Sequence, residues 1–145
     1  MGIINKDLVT KERLREARYL ISQYEGAKLR SSVYPRKRPT LFTQLKVDLS
    51  KYTDHSIVEY DKELAKKIPP EDQEYLRQYL EDMDTVWVVE KAVESMPNEI
   101  TRGIAADTIL KGKRCEDLEE KYHLKACAIR RRKHQTVEFL ASICL

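Results

Sequence analysis

Between Lys125 and His134 the chain carries five lysine or arginine side chains and no acidic one. Cations packed so densely on one short helix repel one another unless they face an anion. Arginine can donate two parallel hydrogen bonds to the O6 and N7 acceptors of guanine, and lysine pairs with phosphate oxygens. The chemistry available to this segment is therefore recognition of a polyanion, above all double-stranded DNA, rather than catalysis.

A helix-turn-helix is the element that would carry such a segment into the major groove. In that motif, apolar residues at fixed spacings lock two helices around a tight turn. The chain has apolar residues at those spacings, namely Leu118, Tyr122, Leu124 and Ile129. His123 takes the turn position where glycine is usual, and histidine tolerates the left-handed conformation better than most residues.

The predicted second helix begins at Lys125, and the expected DNA contacts of the motif fall into two groups. The residues exposed near its N-terminus are expected to contact base edges: Ala126, Cys127, Arg130 and Arg131. Phosphate contacts give affinity without sequence information, and they are expected from Lys113, Arg114, Lys125, Lys133 and His134. Two further departures from the common pattern are Glu119, where a small residue is usual, and Arg132, where an aliphatic residue is usual.

The N-terminal part of the chain predicts one helix followed by a break. Thr10 is the predicted N-cap of a helix that reaches Lys28. Residues 28–39 contain two prolines and five basic residues without an acid, which predicts either a flexible linker or a basic arm that enters a minor groove. The candidate arm residues are Arg30, Arg36, Lys37 and Arg38. Residues 40–54 fit a short strand and a helical turn equally well.

Prolines and a glycine mark the remaining boundaries. The pattern predicts a helix over residues 56–67, another from Pro70 to about Met96 with a break near Asp84, and a third over 99–111 that Gly112 caps. The predicted fold class is all-α, a helical bundle with a C-terminal helix-turn-helix and an irregular basic segment near residues 28–55. Residues 1–55 form one predicted domain, and residues 56–145 form the helical core, with the motif at about 99–145.

The net charge of +3 is distributed unevenly along the chain. Residues 1–58 carry a net +6, residues 59–99 a net −7, and residues 100–145 a net +4. The basic ends are candidate phosphate-binding surfaces. The acidic middle is a candidate contact for RNA polymerase or a solvated face, and its long helix is a candidate for homo-oligomer formation.

Other chemistries find little support in the sequence. We see no glycine-rich phosphate loop, no serine nucleophile motif and no paired cysteine motif, so we predict no enzymatic activity and no cofactor. The spacings among Cys115, His123, Cys127 and His134 fit no common zinc finger, so we predict no metal site. An odd cysteine count without a signal peptide or a long apolar run predicts a cytoplasmic protein without membrane contact.

Residues 92–140, from AVESMPNEITRG to HQTVEFL, resemble region 4 of a σ factor. The layout of the whole chain resembles the ArpU/RinA-type late-gene regulators of phages that infect Gram-positive bacteria. That resemblance implies a regulator, and specifically an activator of phage or prophage genes, whose residues 125–134 lie in the DNA. One alternative is a phage DNA-packaging adaptor of the small-terminase kind, which usually places its DNA-binding unit first. Another is a helical protein-binding module with no DNA function.

Overall fold

A computed structural model describes residues 3–37 and 69–143, and all regular structure within these ranges is helical. They contain five α-helices: α1 (Lys11–Lys37), α2 (Pro70–Glu94), α3 (Glu99–Ala105), α4 (Glu119–Tyr122) and α5 (Ala126–Ile143). The chain also forms 3₁₀ turns at Lys6–Leu8 and Cys115–Leu118, and α3 continues into a π-helical turn at Ala106–Leu110. The predicted all-α class is confirmed. The predictions for residues 40–54 and 56–67, and the predicted boundary at residue 55, lie outside the described residues.

Single polar residues and one glycine set several helix ends. The Oγ1 atom of Thr10 accepts a hydrogen bond from the backbone N–H of Arg13 (3.2 Å), which confirms Thr10 as the N-cap of α1. Asn98 caps α3 by accepting from two backbone N–H groups of its first turn (2.9 and 3.1 Å). Gly112 adopts a positive φ of 68° after the π-helical turn, as predicted. Helix α2 is continuous through Asp84, so the predicted break there is wrong.

Helix α1 extends to Lys37, so the predicted irregular segment is wrong for residues 28–37. Two contacts with α2 stabilise this extension. The guanidinium of Arg30 donates two hydrogen bonds of 2.9 Å to the carboxylate of Asp82. The ring of Tyr34 packs edge-on against Tyr75 and Tyr79, with centroid distances of 4.8 and 5.9 Å. Such packing can offset the intrinsic cost of a serine- and proline-containing helix end.

The described residues group into two compact units. Residues 23–37 and 69–88 form one unit, whose core holds Tyr24, Ala27, Leu76, Tyr79 and Leu80. Residues 3–22 and 89–143 form the other, whose core includes Val89, Val93, Met96, Ile104, Ile129, Val137 and Leu140. In this second unit α5 packs against α3, against the Cys115–Leu118 turn and against the Lys6–Leu8 turn. None of the described helices is both long and apolar enough to cross a membrane.

Candidate nucleic-acid interface

A small apolar cluster holds the helix-turn-helix together. Ile104 of α3 and Ile129 of α5 are fully buried in it, together with Cys115 and Leu118. Three partly buried residues pack against the cluster, and they are Tyr122, Leu124 and Ala126. The four apolar residues that the spacing singled out therefore share one core, as predicted, and this core fixes α5 against the rest of the motif.

The turn between α4 and α5 depends on one backbone conformation. His123 has φ 54° and ψ 40°, in the left-handed region, and is the single non-glycine residue with positive φ in the described ranges. Helix α5 then begins, with the backbone oxygen of Lys125 accepting hydrogen bonds from the N–H groups of Ala128 and Ile129. The prediction that a histidine would replace glycine in this turn is confirmed.

The outward face of α5 carries residues spaced as neighbours on one helical face, and these are Cys127, Arg130, Arg131 and His134. All four are exposed. Ala126 differs from the other predicted base-contacting residues, because its side chain is partly buried against the motif core. The face that the helix presents to solvent is thus made chiefly of two arginines, a cysteine and a histidine.

Glu116 places a carboxylate between two of the predicted DNA-contacting arginines. One of its oxygens accepts a hydrogen bond from the guanidinium of Arg130, and the other lies 3.7 Å from Nε of Arg114. The three side chains remain accessible, with exposed fractions of 42% for Glu116, 58% for Arg130 and 76% for Arg114. An anion that approaches the arginines must therefore compete with this carboxylate.

Asp107 is the most heavily paired acid of the motif region. Its carboxylate is buried, and it accepts hydrogen bonds from Nζ of Lys121 (2.7 Å) and from the hydroxyl of Tyr122. Burial by itself raises the pKa of Asp107, but the hydrogen bonds from Lys121 and Tyr122, and the charges of Lys121 and Lys113, lower it to about 2. Asp107 therefore joins the π-helical turn to α4 as an ionised group.

Gly103 leaves room for the tyrosine in this arrangement. A Cβ atom at position 103 would lie 2.9 Å from the hydroxyl oxygen of Tyr122, closer than real Cβ contacts allow. Glu119, at the position where the pattern usually has a small residue, is exposed to solvent. The departure at Glu119 leaves the packing of this motif undisturbed.

Arg132 forms polar contacts with α3 instead of the apolar lock that is usual at its position. Its guanidinium donates hydrogen bonds to Oγ1 of Thr101 (2.9 Å) and to Oδ1 of Asn98 (3.3 Å). Asn98 is the N-cap of α3, so one side chain links α5 to the start of that helix. Arg132 is therefore a structural residue, and the outward face does not include it.

The residues predicted to contact phosphate differ in their exposure and in their contacts within the protein. Arg114 and Lys125 are exposed, Lys133 is half-buried, and Nε2 of His134 lies 3.7 Å from the carboxylate of Glu138. Nζ of Lys113 lies 3.8 Å from Asp107, so this lysine faces a carboxylate within the protein.

The predicted basic arm is part of a helix as far as Lys37. Arg30 is ion-paired with Asp82, and that hydrogen-bonded contact, with the charge of Asp82, raises the pKa of Arg30 further above its ordinary value. Arg36 and Lys37 are exposed in the last turn of α1. Arg38 lies outside the described residues. The predicted irregular conformation is therefore wrong for residues 28–37, while DNA contact by Arg36 and Lys37 stays a prediction.

Sequence reasoning missed Asp107 and Glu116, and for one of them a signal existed. Asp107 follows the apolar residues Ile104 and Ala105 on the buried side of the helix, where an acid requires a hydrogen-bonding partner. Glu116 carried no comparable signal, because its contact with Arg130 depends on how the Cys115–Leu118 turn packs against α5. Within the described residues no group of three histidine, cysteine or acidic side chains is arranged to hold a metal ion.

Comparison with models of protein families, with curated proteins and with solved structures gave no significant match.

Proposed function

We propose that this chain is a sequence-specific DNA-binding protein that inserts the outward face of α5 into the major groove. The observation that supports the proposal best is the contrast between the two faces of that helix. Ile129 is fully buried on the inner face, whereas Arg130 and Arg131 are exposed on the outer one. A B-DNA major groove admits a helix of this size, and arginine side chains can distinguish guanine there.

The proposed contacts divide into base contacts and phosphate contacts. Arg130 and Arg131 would donate bidentate hydrogen bonds to guanine. Cys127 stands on the same face, one turn earlier, where a small side chain lets the helix approach the bases closely. Lys125 and Arg114 would pair with backbone phosphates and provide the salt-dependent part of the affinity.

We also propose that the protein regulates transcription, as an activator of phage or prophage genes. Two features of the sequence support this. Residues 92–140 resemble region 4 of a σ factor, and the layout of the chain resembles that of ArpU/RinA-type regulators. The net charge of −7 over residues 59–99 supports a basic surface of RNA polymerase as the protein partner.

The proposal is tested by binding a library of random-sequence duplexes at several salt concentrations, followed by sequencing of the bound fraction. A steep fall of affinity with salt together with an enriched motif is the expected result. A steep fall without enrichment would favour a packaging adaptor over a regulator. No binding even at low salt would contradict the proposal and favour a protein-binding module.

A further inference from the structure

Three lysine side chains converge on the carboxylate of Asp107. Nζ of Lys121 lies 2.7 Å from one oxygen, while Nζ of Lys111 and Nζ of Lys113 lie 3.5 and 3.8 Å from the other. The carboxylate is buried, but the three lysine side chains keep exposed fractions of 61% (Lys111), 48% (Lys113) and 54% (Lys121). We call these three residues the lysine cluster. The buried carboxylate of Asp107 attracts their ammonium groups from the protein side, and the lysine side chains stay accessible to solvent.

The lysine cluster has more positive charge than Asp107 can neutralise. Three ammonium groups meet one carboxylate, which leaves two positive charges that Asp107 does not neutralise. The remaining partner of Asp107 is the hydroxyl of Tyr122, which is uncharged. A second anion, bound on the solvent side, would complete the charge balance.

Asp107 also restricts where the ammonium groups can go. A free lysine side chain samples many rotamers and loses that freedom when it binds an anion. Here a carboxylate on the π-helical turn keeps three flexible side chains near one point before any ligand arrives. Part of the conformational entropy of these lysine side chains is therefore lost when the protein folds and not when the anion binds, so the cluster is preorganised.

The lysine cluster is joined through the chain to the candidate interface. Lys113 is followed directly by Arg114, whose Nε lies 3.7 Å from the carboxylate of Glu116. Glu116 in turn contacts Arg130 on the outward face of α5. The chain therefore leads directly from the cluster to Arg114, which is itself a proposed phosphate contact.

We propose that the lysine cluster binds phosphate groups of the DNA backbone, with Asp107 as the positioning residue that holds the ammonium groups ready. The proposal rests on the proposed function and adds Lys111 and Lys121 to the residues that contact DNA. The proposed ligand is a phosphate diester group of a DNA strand, with an anionic phosphate on each side of it. A free phosphate ion lacks these neighbours.

A charge-matched pair of variants tests the contact. The variant Lys111→Gln/Lys121→Gln should bind every duplex several-fold more weakly than the wild type, and its plot of log affinity against log salt should be shallower by about two, one for each lysine removed. The control Lys11→Gln/Lys91→Gln removes the same charge from α1 and α2 and should keep the wild-type slope. Equal slopes for the two double variants would overturn the proposal.

A thermodynamic cycle tests the positioning role of Asp107. The substitution Asp107→Asn makes the protein more positive, so charge alone predicts tighter DNA binding, whereas loss of the preorganised cluster predicts weaker binding. In the Lys111→Gln/Lys121→Gln background the same substitution should no longer weaken binding, because its effect acts through those lysines. A purely structural role would weaken binding equally in both backgrounds and would overturn this part of the proposal.

Further measurements distinguish failure of the proposed function from failure of the lysine-cluster proposal alone. If the wild type and Arg131→Ala both fail to bind the duplex at low salt, the proposed function itself fails. If Arg131→Ala weakens binding but the lysine variants match their control, only the lysine cluster is wrongly assigned. Saturable binding of inorganic phosphate by the wild type and not by Lys111→Gln/Lys121→Gln, without a change in the DNA slope, would also contradict the backbone assignment.

Discussion

The carboxylate of Glu116 contacts the guanidinium of Arg130, so an arginine of the outward face is ion-paired within the protein before it meets DNA. The same carboxylate lies 3.7 Å from Arg114. Contact with a phosphate or with guanine through the N–H groups that face Glu116 would require each arginine to exchange this carboxylate for a new acceptor. The same ion pair is lost on any sequence on which this exchange takes place, so the contact should weaken specific and non-specific binding alike.

The substitution Glu116→Gln should therefore tighten binding to random-sequence duplexes by up to about fivefold, since exposed ion pairs are worth at most about 1 kcal/mol. Affinity for the preferred sequence should rise by a similar factor, because the same ion pair is lost there. Both affinities can be measured by fluorescence anisotropy. Asp117→Asn removes the same charge from the same turn and serves as the control, and an equal gain in both variants would show that the ion pair has no particular role.

Arg131 and Lys133 should differ in what their loss does to sequence preference. Replacing the exposed Arg131 by alanine should cost roughly 1–3 kcal/mol on the preferred sequence and relax the preference at one base position. Replacing Lys133 should weaken all sequences alike and flatten the salt dependence. Selection experiments with the two variants measure this difference directly, and an unchanged motif in Arg131→Ala would speak against base contact by this residue.

Arg132 should behave as a structural residue although it lies beside Arg131. Methionine at position 132 keeps most of the side-chain length but loses the hydrogen bonds to Asn98 and Thr101. We expect Arg132→Met to lower the free energy of unfolding by roughly 1–2 kcal/mol, as measured by urea denaturation. The matched variant Arg131→Met should change it by less than about 0.5 kcal/mol. Indistinguishable midpoints for the two variants would refute the assigned roles.

The buried carboxylate of Asp107 should make stability depend on acidity in a defined interval. Its pKa is about 2 in the folded protein, below the ordinary value of 3.8, so its ionised form stabilises the fold at higher pH. That stabilisation, on the order of 2 kcal/mol, should disappear as the pH falls from about 4 towards 2. The difference in unfolding free energy between wild type and Asp107→Asn should shrink over this interval, whereas a constant difference would contradict the ionised buried state.

Features that depend on one local residue were predictable from the sequence. Thr10 caps α1, Gly112 adopts a positive φ, and His123 is left-handed, each as predicted from the side chain at that position. The packing of Leu118 with Ile129 also followed, because their spacing reflects how two helices meet around a turn.

Features that depend on a distant partner could not be predicted. Residues 28–37 have the composition of a linker, yet they are helical, and the contacts of Arg30 with Asp82 and of Tyr34 with Tyr75 lie far apart in sequence. The same holds for the pairing of Glu116 with Arg130, which gave no signal in either segment. Local propensity is weak enough for such tertiary contacts to override it.

Cys127 allows the central claim, that the outward face of α5 contacts DNA, to be tested at one atom. Its thiol is exposed between the two proposed arginine contacts and the turn, while Cys115 is buried in the motif core. The rate at which a thiol reagent alkylates Cys127 can be followed by peptide mass spectrometry, with and without saturating duplex DNA at low salt. The account predicts that DNA slows alkylation of Cys127 strongly. An unchanged rate on the DNA-bound protein would contradict it.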